Sequence, residues 1–203
     1  MVRFFQAYKK YLKDLTIFFV NVGPNLASTI TIPAPTQNFT EYLSTSVDTN
    51  FIFANVTPET ISETLSLLKN KISCGKDNIS TTLVKENMPN IISSVVHIFN
   101  LSMKSGYIPE SYKCAKVIPI YKSGVTTEFI NYRPISLLSS FSKLLEKLVA
   151  RQMFKFINKY NILYSHQYGF RPNHDTSQPL IQFLDKIYEG MNKDNPEYTI
   201  AIF

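Results

Sequence analysis

The chain has no tryptophan and only two cysteines, Cys74 and Cys114, forty positions apart. No CxxC pair or His-x-Cys cluster occurs. That excludes a structural zinc site of ordinary ligand spacing and a disulfide framework. Two reduced thiols are the expectation. Long apolar runs are absent too. The longest near the N-terminus, residues 15–22, is interrupted by Thr16 and Asn21 and is followed by no small-residue cleavage site. It is too short to span a membrane and does not read as a secretory signal. No membrane association is therefore expected, and the setting is expected to be intracellular, nuclear or cytoplasmic. There is also no internal repeat and no low-complexity tract.

What is present suits a folded domain. The chain has 203 residues, with 15 Phe and 12 Tyr. A length of that order supports a core, in one domain or in one domain with an arm. The net charge of +6 is unevenly spread. Residues 1–103 carry 8 Lys/Arg against 7 Asp/Glu, residues 104–171 carry 11 against 3, and residues 172–203 carry 2 against 5. A surplus concentrated in one stretch favours a polyanionic partner through counterion release. A solvated Lys-rich helix face would give the same count.

Hydrophobic spacing divides the chain into elements. Phe4, Tyr8, Tyr11, Leu15 and Phe18 mark an amphipathic helix that Gly23-Pro24 should stop. Residues 23–57 hold three prolines and many Ser, Thr and Asn, so an extended arm or linker is expected over them. Residues 1–57 thus read as a helix with an arm, and residues 58–203 as the main domain. Thr57-Pro58 opens a helix whose apolar face is Ile61, Leu65, Leu68 and Ile72. A turn follows at residues 74–78. Ser80 caps a second helix that Pro89 should interrupt and Gly106 should end. Residues 116–121 read as an edge strand bearing Pro119, with a polar loop around Gly124 and a short return strand over 134–138. Residues 140–160 form the clearest helix, with Leu144, Leu145, Leu148, Met153, Phe156 and Ile157 on its core side. A last helix over 177–192 has Leu180, Phe183, Leu184, Ile187 and Met191 on one face, and residues 198–203 form a β-prone stub.

Two places hold residues suited to chemistry. Lys116, Lys122 and Arg133 bracket a strand, a loop and a return. Cations near the tip of a β-ribbon suit phosphate, because the strands fix the donors while the loop adapts, and Arg adds a planar fork. An ordinary hairpin with solubilising charges is the other reading. In Gly169-Phe170-Arg171-Pro172, Gly169 can take a positive φ, Phe170 can stack or anchor the turn in the core, and Arg171 can meet a phosphate. A glycine turn with a buried Phe and a surface Arg is again the plainer alternative. His166 and His174 have no third ligand at useful spacing and read as surface or capping histidines. No metal-ligating or catalytic set is expected within the chain.

The order of several short motifs resembles a known family. Ser73-Cys74-Gly75-Lys76-Asp77 is similar to its Gly-x-Asp entry segment. Lys116-Val117-Ile118-Pro119-Ile120-Tyr121-Lys122, with Asn131-Tyr132-Arg133-Pro134-Ile135-Ser136-Leu137, resembles its first fingers motif. Gln167-Tyr168-Gly169-Phe170-Arg171 resembles its second, with Thr176 at a Ser-Thr position. The family is that of reverse transcriptases from non-LTR (LINE-type, jockey-like) retrotransposons, and the likeness runs over nearly the whole chain.

The resemblance implies an α+β fold, the helix-rich fingers and first palm strand of a right-hand polymerase. It implies that Lys122 and Arg133, with Lys116, hold nucleotide or template phosphates, and that Gly169, Phe170 and Arg171 support the template path. Partners would be an RNA template, an RNA–DNA hybrid and dNTP, with Mg²⁺ serving the full-length enzyme and none expected on this chain. The palm aspartates that hold paired divalent ions have no match here, nor does the rest of the palm or the thumb. The chain alone is therefore expected to be inactive as a polymerase. A module binding RNA or an RNA–DNA hybrid, or a non-functional truncated product, are the alternatives. Asp175 departs from the small neutral residue many relatives carry, which weakens a phosphate role for residues 174–176.

Overall fold

A threonine followed by a proline sets the first boundary of the core. Thr57 is extended, its side chain accepts from the Thr60 N–H, and Pro58 occupies the first helical position. Proline lacks only an N–H that a first turn leaves unpaired anyway. The computed structural model describes residues 2–30 and 49–193, with the backbone alone over residues 2–9. Its elements are α1 (Val2–Thr29), α2 (Pro58–Ser66), α3 (Thr81–Ser105), the short α4 (Glu110–Lys113), β1 (Lys116–Tyr121), a 3-10 turn (Phe129–Asn131), β2 (Tyr132–Leu137), α5 (Ser140–Lys159) and α6 (Ser177–Met191). Among the described residues this is a helix-rich α+β arrangement with one two-stranded sheet. No described helix is long and apolar enough to cross a membrane. Residues 31–48 of the expected arm, and the expected strand at 198–203, lie outside the described residues.

The chain divides into two compact units, residues 1–153 and 154–203. The core of the first is built by α2, α3 and α5. Ile61 and Leu65 meet Val84, Met88, Val95 and Phe99, with Leu144, Leu145 and Leu148 completing the cluster. Pro89 does not interrupt α3, contrary to the sequence expectation. An internal proline costs about 3 kcal/mol. The apolar side chains buried on either side of it, Val84 and Met88 before and Val95 and Phe99 after, each contribute roughly 1.5–3 kcal/mol. Their sum holds the helix together through the lost hydrogen bond. Gly106 ends α3 in the left-handed region, φ 71°.

Three other expectations are corrected. α1 continues through Gly23-Pro24 to Thr29. Proline's φ suits a helix, and the loss is confined to one backbone bond. α2 stops at Ser66, so Ile72 lies beyond it, 91% exposed. Leu180, Phe183, Leu184 and Met191 of α6, and Met153 of α5, are exposed rather than core.

The segment entering α2 is held in an unexpected way. Ala54 donates its N–H to Gln152 Oε1 at 2.8 Å and accepts from Nε2 at 3.0 Å. Val56 donates to Asn100 Oδ1 at 2.7 Å and accepts from Nδ2 at 3.0 Å. Two amide side chains, one on α5 and one on α3, thus replace a neighbouring strand at alternate residues. The described end of the expected arm is fastened to the core by amide side chains that satisfy its backbone groups.

The turn at residues 75–78 meets the junction between β2 and α5. A Cβ on Gly75 would lie 2.7 Å from the Ser139 backbone nitrogen and 2.8 Å from the Leu138 carbonyl carbon. These are backbone atoms and cannot swing aside. Around them Thr81 and Ser140 hydroxyls are 3.2 Å apart, Ser140 donates to the Ile79 carbonyl, and Ser142 donates to the Tyr112 carbonyl. Gly75→Ala is expected to destabilise the chain by roughly 1–3 kcal/mol, read as a lower urea midpoint. A midpoint equal to that of the unsubstituted chain would refute the close approach.

Candidate nucleic-acid interface

The ribbon begins as an alternating sequence and becomes two distinct faces. β1 and β2 pair antiparallel, with Lys116 opposite Leu137, Ile118 opposite Ile135, Ile120 opposite Arg133 and Tyr121 opposite Tyr132. Side chains alternate along a strand, and opposed residues share a face. Lys116, Ile118, Ile120, Lys122, Arg133 and Ile135 therefore lie on one face. Val117, Pro119, Tyr121, Tyr132 and Pro134 lie on the other. The three cations singled out from the sequence share one face, with Lys122 and Arg133 near the tip and Lys116 at the opposite end of β1. Lys122 and Arg133 are diagonal neighbours there, about 7–8 Å apart at the backbone.

The second face is the one covered. Leu12, Leu15, Thr16, Phe19 and Val20 of α1 share a cavity of about 470 Å³ with Val117, Pro119 and Pro134. Tyr11 and Phe18 also meet Phe129 near the ribbon tip, at ring distances of 5.1 and 5.9 Å. α1 thus backs the ribbon and leaves the cationic face exposed. Among the described residues, Lys116, Lys122 and Arg133 have no carboxylate partner, whereas Lys113, Arg151 and Lys186 each do.

Two prolines protect the ribbon's outer edges. The Lys122 N–H donates to the Asn131 carbonyl at 2.8 Å, which makes that pair hydrogen-bonded. Counting back by alternation, Pro119 and Pro134 oppose each other in a non-hydrogen-bonded pair. Their missing N–H groups would have pointed away from the partner strand. Proline costs nothing in the ladder at such positions and blocks further strand pairing.

Side-chain hydrogen bonds tie the tip to the ends of its own strands. Tyr121 donates its hydroxyl to the Gly124 carbonyl at 2.6 Å, and Tyr132 donates to Thr126 at 2.8 Å. Asn131 donates to the Val125 carbonyl and to the Glu128 carboxylate. Desolvation, then the Tyr11 hydroxyl, raises the Tyr132 pKa above its ordinary value, keeping that donor protonated. Gly124 has φ +94°, and a Cβ there would meet the Asn131 side chain at 2.7 Å. The paired tyrosines at the strand ends were the sequence signal for this clamp.

In the second unit the turn at 169–171 differs from expectation. Gly169 has open space around it and no positive φ, whereas Phe170 has φ 61°. The left-handed region costs a non-glycine residue roughly 1–2 kcal/mol. The Phe170 ring is 100% exposed, so it anchors nothing in the core. The backbone at Phe170 thus holds a left-handed conformation while its ring faces solvent. Arg171 donates through Nη1 to the Gln167 carbonyl at 3.3 Å. Tyr168 donates its hydroxyl to Gln182 of α6, which ties the turn to that helix.

Asp175, read from the sequence as a departure, has a structural task. Its Oδ1 accepts from the Ser177 N–H at 2.9 Å and the Gln178 N–H at 3.4 Å, while Thr176 makes no side-chain cap. The carboxylate satisfies first-turn donors and complements the helix dipole. His174 lies against the Pro172 carbonyl and His166 against the Ser165 hydroxyl, as surface roles require. No group of three His, Cys, Asp or Glu among the described residues could hold a metal ion. Asp175→Ala is expected to lower stability by about 0.5–2 kcal/mol, with reduced helical circular dichroism near the transition. Thr176→Ala should change it by less than about 0.5 kcal/mol. Equal effects of the two substitutions would contradict this assignment of the cap.

No protein-family model matches the chain. Curated proteins do. The chain is 32% identical over 168 residues to the probable RNA-directed DNA polymerase from transposon BS of Drosophila melanogaster, covering 82% of this chain and 18% of that protein. It is 29% identical over 164 residues to the RNA-directed DNA polymerase from mobile element jockey of the same species, covering 80% and 18%. The jockey polymerase of Drosophila funebris is 30% identical over 149 residues, 73% of this chain and 16% of that protein. The chain thus spans less than a fifth of the length of the curated relatives it matches. Over most of its own length, it is a relative of the reverse transcriptases of jockey-like non-LTR mobile elements.

Proposed function

We propose that this chain supplies the template- and nucleotide-binding fingers part of a right-hand RNA-directed DNA polymerase. In this reading residues 58–203 are fingers and the start of the palm. The observation that carries it is the ribbon face shared by Lys122 and Arg133 near the tip and Lys116 at the root, none with a carboxylate partner among the described residues. Cations fixed on paired strands bind phosphate oxygens with little ordering cost, and Arg133 can take two at once. Exposed Ile118, Ile120 and Ile135 between them offer apolar contact to sugars or bases. Phe170 adds a stacking surface for a single-stranded template base. The chemistry served would be RNA-templated DNA synthesis from dNTPs, in the nucleus or cytoplasm. Magnesium would support that synthesis in a full polymerase. Among the described residues no group of carboxylates, histidines or cysteines fits a site for it.

Binding of single-stranded RNA and of an RNA–DNA hybrid, followed by fluorescence anisotropy across salt concentrations, tests this reading. Affinity should fall steeply with salt. Lys122→Ala and Arg133→Ala should each reduce the log–log slope by about 0.7 on single strands. Salt-insensitive binding, or no binding, would sink the proposal. Phe170→Asn should raise or preserve stability by relieving about 1 kcal/mol of left-handed strain. It should also weaken RNA binding by about 1–3 kcal/mol if the ring stacks on a base. Unchanged RNA affinity would remove Phe170 from the interface.

A further inference from the structure

A second concentration of positive charge lies outside the ribbon. Lys69, Lys71, Lys143 and Lys147 line a cavity of about 290 Å³ together with Leu67, Leu68 and Thr81. No acidic residue lines it, and none of the four lysines pairs with a carboxylate among the described residues. Four like charges gathered around one cavity repel each other unless an anion or solvent screens them.

Ordinary structural roles for these lysines are already filled or unfavourable. Lys69 and Lys71 follow α2, where a cation could satisfy the last carbonyls. That place is taken by Lys85, whose Nζ donates to the Leu68 carbonyl at 2.6 Å and lies 3.4 Å from that of Ser66. Lys143 lies in the first turn of α5, where the helix dipole is positive and a cation is disfavoured. Lys147 is one turn further on, on the same side of the helix. Thr81, the first residue of α3, brings a second positive helix end to the cavity, and its hydroxyl is engaged with Ser140. The α2 C-terminus at Leu67 is the one negative helix end at the cavity, and Lys85 already occupies its carbonyls. No carboxylate among the described residues lines the cavity or pairs with its four lysines.

We propose that Lys69, Lys71, Lys143 and Lys147 form a second phosphate-binding site, one that takes the backbone phosphates of a bound nucleic-acid strand. The shared ligand chemistry is the phosphate group, and the source assigned to it is a polynucleotide rather than a free phosphate compound. This rests on the reading of the chain as a nucleic-acid-binding part of a polymerase. It adds a contact built from residues that the ribbon does not use. Lysine suits it, because flexible ammonium groups follow a strand's phosphates without requiring a fixed geometry.

The test compares three double variants of the full chain in RNA anisotropy titrations. Lys143→Gln/Lys147→Gln removes charge at the cavity, Lys122→Ala/Arg133→Ala removes it at the ribbon, and Lys10→Gln/Lys13→Gln removes it from α1. The cavity variant should weaken RNA binding about tenfold near 0.1 M salt and lower the salt slope by about 1.4, well beyond the α1 variant. Lys143→Arg/Lys147→Arg should retain affinity, which separates lost charge from lost packing. Thermal melts of each variant verify folding, and Lys69→Gln/Lys71→Gln replaces the cavity variant if that one fails to fold.

A cavity variant indistinguishable from the α1 variant overturns the second site. If ribbon substitution still weakens binding, the ribbon reading stands alone. RNA binding lost on cavity substitution but kept on ribbon substitution supports the second site and overturns the ribbon. Inorganic pyrophosphate, titrated by calorimetry, distinguishes the sources. Absence of RNA binding together with saturable pyrophosphate binding that Lys143→Gln/Lys147→Gln abolishes overturns the polynucleotide assignment in favour of a free phosphate ligand.

Discussion

The approach of Gly75 to the backbone of Leu138 and Ser139 is the constraint on which the first unit depends. It brings the connection before α3 against the connection before α5. Both helices begin there, and both have their first turns tied into the same group of hydroxyls, through Thr81 and Ser140. Ser142 extends the group to the Tyr112 carbonyl, so the segment leading into β1 is held at the same place. Any side chain on residue 75 would push these starts apart. The ribbon's root, the direction of α5 and the lysine-lined cavity all follow from that one backbone contact, because each is only a few residues removed from it.

From that root the ribbon works by parity. A two-residue repeat in each strand, and a register that sets Ile120 opposite Arg133, put every cation on one face and both prolines on the other. A shift of one residue would send Lys116 and Lys122 toward α1, where Leu15 is buried. The tyrosine clamps at the tip and the apolar backing from α1 oppose such a slip. Electrostatics and packing therefore agree: the face that can hold anions is the face the hydrophobic effect leaves uncovered.

Much of the fold was legible in short-range signals. Thr57-Pro58, Ser80 and Gly106 marked helix boundaries because capping is local chemistry, decided within four residues. The strand at 116–121 was readable from its alternation. Pro24 and Pro89 misled for a common reason. A proline's local cost of about 3 kcal/mol is visible in sequence, while the burial that outweighs it at Pro89 depends on helices distant along the chain. The candidate interface divided in the same way. Lys116, Lys122 and Arg133 were identifiable as residue types around a turn, but the strained residue proved to be Phe170 rather than Gly169. The capping role of Asp175 was not apparent either.

Composition and charge distribution determined by themselves that the chain has an apolar core to bury and concentrates its positive charge in its middle, and motif order carried its resemblance to jockey-like reverse transcriptases. These are properties of residue identity and order along the chain. Tertiary structure alone decided that three cations share one uncovered face, that Asn100 and Gln152 replace a strand, and that lysines from two distant segments line one cavity. Those outcomes depend on which surfaces meet when Leu144, Phe99 and Ile61 are buried together. Helical and strand periodicities specify faces, but only packing determines which faces are covered and which remain open to a ligand.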